Sequence, residues 1–131
     1  MKFIIKTILI ALSVLVVSFF LPWWGMCIPA FLIPVFFVSP QKRKFSGRTK
    51  ELSGLSFLSG LIAGSSVWGI AAIVRDLGND SILSSRIAEL VTQQAEPVLA
   101  ILITALLGGL LCAFPAMTGA YFGLMIKGEK R

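Results

Sequence analysis

Three long runs of this chain contain no Asp, Glu, Lys or Arg: 7–41, 52–74 and 97–126, holding 35, 23 and 30 residues. Nothing else in the sequence constrains the fold as strongly. A helix of about 20 apolar residues crosses the ~30 Å hydrocarbon layer of a bilayer. In that layer each backbone N–H and C=O must be satisfied within the protein, which selects helices. The remaining composition agrees. Of 131 residues, 56% are hydrophobic and 14% charged, against about 25% charged in an ordinary soluble domain. So short a chain cannot hide that much apolar surface from water, and disorder requires the opposite balance. The expectation is an all-α integral membrane protein forming one domain over 1–131.

The runs 52–74 and 97–126 each supply one span. The run 7–41 is too long for one and is interrupted by Leu21-Pro22-Trp23-Trp24-Gly25. Pro22 lacks an amide hydrogen, Gly25 relaxes the backbone, and tryptophans favour headgroup level. A tight turn at an interface is expected there. The spans fall at about 3–21, 23–38, 52–74 and 97–126, as two helical hairpins. Lys6 lies close enough to the end of the first span to snorkel outward. The second span is short, about 24 Å at 1.5 Å per residue. Pro29 and Pro34 should bend it, and a re-entrant segment is the alternative. Pro115 should kink the fourth. A cleavable leader would need small residues around Ser18-Phe19-Phe20-Leu21-Pro22, and lipid attachment at Cys27 disfavours bulky Met26 before it. The first segment is therefore read as a retained span.

Basic residues set the orientation. With four spans, Lys2, Lys6, Lys42, Arg43, Lys44, Arg48, Lys50, Lys127, Lys130 and Arg131 share one side, and only Arg75 and Arg86 lie opposite. This positive-inside bias places both termini in the cytoplasm of a bacterial inner membrane. The loop 41–51 would then set Lys42, Arg43, Lys44, Arg48 and Lys50 against anionic lipid headgroups, at about 1 kcal/mol each. Ten residues cannot form a groove reader, so nucleic acid is excluded as a partner. On the outer side, Gly78-Asn79-Asp80-Ser81 reads as a turn and helix cap, with Asp80 or Ser81 accepting the first free amides. Ile82, Leu83, Ile87, Leu90 and Val91 follow at helical spacing. They predict a short amphipathic helix over 81–92, lying on the outer leaflet or capping the bundle.

Small residues line the last two spans. Ser56, Gly60 and Gly64 recur every four residues, as do Ser65 and Gly69. Thr104, Gly108, Cys112, Ala116 and Ala120 form a second row, beside Ala105, Gly109 and Ala113. Residues four apart share a helix face, and small side chains there let two backbones approach. Ser56, Gly60, Gly64, Gly69, Gly108, Gly109, Cys112 and Ala116 are therefore the expected packing faces. They would join the two helices or separate copies of the chain.

Reactive chemistry is sparse. There is no histidine, and no acid falls inside a span, so proton-coupled export and paired-acid intramembrane catalysis lack their groups. Cys27 and Cys112 have no Cys-x-x-Cys spacing and read as buried free thiols. Ser65, Ser66, Thr104, Thr118 and Tyr121 are the hydroxyls at membrane depth. No catalytic residue, cofactor or metal is expected.

The stretches Ile82-Leu83-Ser84-Ser85-Arg86-Ile87-Ala88-Glu89-Leu90, Ile103-Thr104-Ala105-Leu106-Leu107-Gly108-Gly109-Leu110 and Ala116-Met117-Thr118-Gly119-Ala120-Tyr121, with Pro22-Trp23-Trp24, resemble a family of small multi-span bacterial membrane proteins that has no assigned activity. The resemblance implies a multi-span membrane protein and transfers no functional residue. The expected function is a non-enzymatic structural or accessory subunit, or a self-associating bundle, acting as a homo-oligomer or within a larger membrane complex. The alternative is a passive channel or carrier for a small solute between the third and fourth helices.

Overall fold

The computed structural model describes the backbone of residues 2–37 and 45–128, and side chains over 3–37 and 53–126. The described residues form five α-helices and one 3-10 turn, with no strand: α1 (Lys2–Phe20), the turn Trp23–Met26, α2 (Cys27–Phe37), α3 (Phe45–Leu77), α4 (Ile82–Thr92) and α5 (Pro97–Gly128). Three helices are long and apolar enough to cross a membrane, over Phe3–Phe20, Ser53–Leu77 and Pro97–Ile126. The apolar segment Trp23–Phe37 is shorter. Its first turn is 3-10 and the helix runs on through Pro34.

Helix α3 starts at Phe45, inside the 41–51 segment expected to be a loop. The charge-free run marks where hydrocarbon can lie, not where backbone hydrogen bonding must stop. The helix therefore extends beyond the apolar run at both ends.

Contacts along the helices fix their directions. Lys6 of α1 meets Ser56 of α3. Ser53 of α3 meets Tyr121 of α5, and Phe57 stacks edge-on to Phe114 with ring centroids 5.7 Å apart. Further along, Gly69 approaches Ala105. α3 and α5 are thus antiparallel. Cys27, Phe31 and Val35 of α2 meet Leu111, Gly119 and Gly123 of α5 in that order, so α2 and α5 run parallel. The start of α1, the end of α2, the start of α3 and the end of α5 therefore share one end of the bundle. The tryptophans, α4 and Pro97 occupy the other.

Packing is inverted relative to a soluble domain. The interior is mostly small: Ala30, Ser59, Ala63, Cys112, Ala113, Ala116 and Ala120 are buried, with Ile10, Val14 and Met26 the largest apolar side chains fully enclosed. The exterior carries bulky apolar groups, among them Leu12, Phe19, Phe20, Leu32, Phe36, Leu58, Leu106 and Phe114. Between helices in lipid, dispersion and close backbone approach replace the hydrophobic drive, which favours small residues inside.

The connection before α4 departs from the expected cap. Ser81 sits at the N-cap in the left-handed region, φ 57°, and its side chain makes no cap hydrogen bond. Its hydroxyl donates to Asp76 Oδ2 at 2.9 Å, and the Ser84 hydroxyl donates to Asp76 Oδ1. Asp76, at the end of α3, thereby gathers the Ser81 hydroxyl that was expected to cap α4, together with that of Ser84. On α4 itself, Ala88 is buried while Ile82, Leu83, Leu90 and Val91 stay exposed.

Candidate functional site

Most membrane-depth hydroxyls are spent locally. Thr7, Ser18, Ser59, Ser66, Thr104 and Thr118 each donate to the carbonyl four residues earlier in their own helix. Such back-bonding satisfies the group without reaching a neighbour. Ser65 packs against Gly109.

Two side-chain contacts between long helices gather at one place. Lys6 Nζ donates to Ser56 Oγ at 2.9 Å. One helical turn away, Ser53 Oγ donates to Tyr121 Oη at 3.1 Å. Among the described residues these are the side-chain hydrogen bonds that join one long helix to another. Lys6 is 8% exposed, and Ser53 and Ser56 are 3% exposed each. Lys6, Ile10 and Val14 recur every four residues on α1, and all three are buried. Lys6 thus lies on the inward row of α1, and the expected outward snorkel is not what the structure shows. A flanking lysine can turn inward where a neighbouring helix offers a hydroxyl instead of an aliphatic wall. The sequence signal was the Ser53, Ser56, Ser59 spacing of three, which puts hydroxyls on one stripe of α3.

The expected packing residues divide between two partners. A Cβ at Gly60 would stand 2.5 Å from the Cys112 carbonyl oxygen and 2.9 Å from Ala116 Cβ. One at Gly64 would press on the Gly108 carbonyl oxygen and lie 2.9 Å from Cys112 Sγ. Gly69 faces Ala105 at 3.3 Å, Gly108 faces Trp68, and Gly109 faces Ser65 and Leu61. Gly60, Gly64, Gly69, Gly108, Gly109, Cys112 and Ala116 therefore share the α3–α5 seam. Ser56 leaves the row to hold Lys6. A second seam was not read from sequence: a Cβ at Gly119 would meet the Phe31 backbone, with its carbonyl carbon at 2.9 Å, and one at Gly123 would meet Val35 O at 2.8 Å.

Lys42, Arg43 and Lys44 lie outside the described residues. Arg48 and Lys50 fall on the helical backbone of α3, and their side chains also lie outside the description.

Cys27 and Cys112 are free thiols. Pro115 has no amide hydrogen, so the Leu111 carbonyl loses its usual helical donor. The Cys27 thiol donates to that oxygen at 3.5 Å. Interhelical hydrogen bonds in membrane proteins average about 0.6 kcal/mol. Cys27→Ala should therefore lower resistance to SDS unfolding by roughly 0.5–1 kcal/mol, with Cys27→Ser close to wild type. Equal midpoints for all three proteins would show that the thiol supports nothing.

Among the described residues, no group of three His, Cys, Asp or Glu side chains converges on a possible metal position. The ion pair found there, Arg86 with Glu89 at 3.4 Å, is exposed on α4. The chain matches no protein-family model, no curated protein and no solved structure.

Proposed function

We propose that this chain is a four-span protein of the bacterial inner membrane. Both termini are cytoplasmic, α4 lies on the outer leaflet, and the role is that of a non-enzymatic structural or accessory subunit, self-associating or within a larger complex. The observation that carries this reading is the inverted packing, with glycine and alanine seams inside and bulky apolar groups outside. It is supported by the α3–α5 seam, where the two helices approach closely at Gly60, Gly64 and Gly109. The back-bonded hydroxyls support it too, because a polar lining would need them free. The same features weigh against a channel between α3 and α5.

Two measurements test the reading. Reporter fusions at residue 45 and after the C-terminus should both report cytoplasm, and a fusion at residue 79 the opposite side. Opposite faces for the first two would remove the four-span layout. Protein extracted in mild detergent after cross-linking should migrate as an oligomer or with a stable membrane partner. A strictly monomeric, partner-free species would remove the subunit role.

A further inference from the structure

The Lys6 cluster is rich in donors, and among the described residues it has no counter-charge. A lysine ammonium carries three N–H donors and accepts nothing, and one donor is placed here, on Ser56. Among the described residues no carboxylate lies within ion-pair distance of it. Tyr121 Oη lies 3.1 Å from Ser53 Oγ on a residue 40% exposed, and a phenol hydroxyl can both donate and accept. Ser53 and Ser56 are three apart on α3, which holds the two hydrogen-bonded pairs within about 5–6 Å of each other at the Cβ positions. A cation buried among apolar helices is strongly disfavoured unless it is paired. The missing partner is an anion with more than one acceptor oxygen.

We infer that Lys6, Ser56, Ser53 and Tyr121 form a binding site for a phosphate group, one oxygen taken by the Lys6 ammonium and another by the Tyr121 hydroxyl. The site lies where α1 and α3 begin and α5 ends, the end of the bundle where the α3 backbone also carries Arg48 and Lys50. An acidic phospholipid of the adjacent leaflet and free phosphate both offer that chemistry. The inference goes beyond the subunit reading and holds whether or not the chain has a protein partner. It differs from loose attraction to surface lysines in being saturable, with one anion per chain.

The full chain in neutral detergent is titrated with phosphatidylglycerol, phosphatidylcholine or inorganic phosphate at constant ionic strength. Native mass spectrometry counts the bound molecules. Wild type should retain one phosphatidylglycerol, with half-saturation about tenfold lower than in Lys6→Met, a loss of roughly 1.4 kcal/mol. Phosphatidylglycerol without inorganic phosphate identifies a lipid site, and displacement of the lipid by millimolar inorganic phosphate identifies a free-anion site. Tyr121→Phe keeps the lysine and the aromatic ring and should weaken binding severalfold at unchanged thermal stability. It decides the matter if Lys6→Met fails to fold. Replacing Lys42, Arg43 and Lys44 with alanine should leave the single saturable step in place. The site is overturned if Lys6→Met, or Tyr121→Phe where Lys6→Met is unfolded, binds as wild type. It is equally overturned if neither phosphatidylglycerol nor phosphate saturates wild type, or if the triple loop variant alone abolishes binding.

Discussion

Gly64→Leu should cost this protein its folded bundle, with at least about 3 kcal/mol lost, the upper end of what overpacking does in a tight interior. A bare Cβ there already presses on the Gly108 carbonyl oxygen and stands 2.9 Å from both Cys112 Cβ and Sγ. The first of these is backbone of the opposing helix and cannot rotate away. The longer side chain must therefore push α3 off α5, and every close approach along the seam, from Gly60 to Gly69, is lost with it. SDS titration followed by circular dichroism would read the loss as a large shift of the midpoint toward low SDS. Gly54→Leu is the matched control, because a Cβ at Gly54 meets nothing within 4 Å. It should stay within about 0.5 kcal/mol of wild type. Should Gly64→Leu unfold with wild type, the seam is not what holds α3 and α5 together.

Gly119→Leu should act on the other seam and free α2 while leaving α3 on α5. A Cβ at Gly119 meets Phe31 backbone, the carbonyl carbon at 2.9 Å and the Cα at 3.2 Å. Displacing α2 also breaks the thiol contact of Cys27 with Leu111. Alkylation of Cys27 by a maleimide in mixed micelles is therefore expected to accelerate about tenfold or more, as a local opening of 1.4 kcal/mol or above would give. Cys112, enclosed on the α3 side, should accelerate much less. Equal acceleration of both thiols would mean that the bundle opens as one unit, and an unchanged Cys27 rate would mean that α2 does not rest on Gly119.

The long elements were readable because the absence of charge is a strong signal at the scale of a bilayer. α1, α3 and α5 follow from the three uncharged runs, and Pro97 stands at the first residue of α5, where its missing amide hydrogen is not needed. Faces were harder. Apolar residues surround each span, so periodicity cannot separate the side that meets protein from the side that meets lipid. Small residues can, and the Gly60, Gly64, Gly108 and Gly109 rows stood out for that reason. Gly119 and Gly123 did not, because their partners in α2 are the backbone atoms of Phe31 and Val35, bulky residues whose side chains give no hint of a close approach. Lys6 was misjudged because its depth is set by sequence position but its direction by the hydroxyl stripe of α3, fifty residues away. Ser81 was misjudged because its hydroxyl is turned to donate to Asp76 at the end of the preceding helix, and its oxygen does not reach the first free amides of α4.

The apolar segment Trp23–Phe37 spans about 24 Å if 3-10 and α rises are combined, while Pro97–Ile126 beside it would span about 45 Å. One flank of the molecule therefore asks for a thinner membrane than the other. Lipids beside α2 would compress and those beside α5 stretch or let it lean, each at fractions of a kcal/mol per Å. In a bilayer, helices of such unequal apolar length would favour places where the thickness changes.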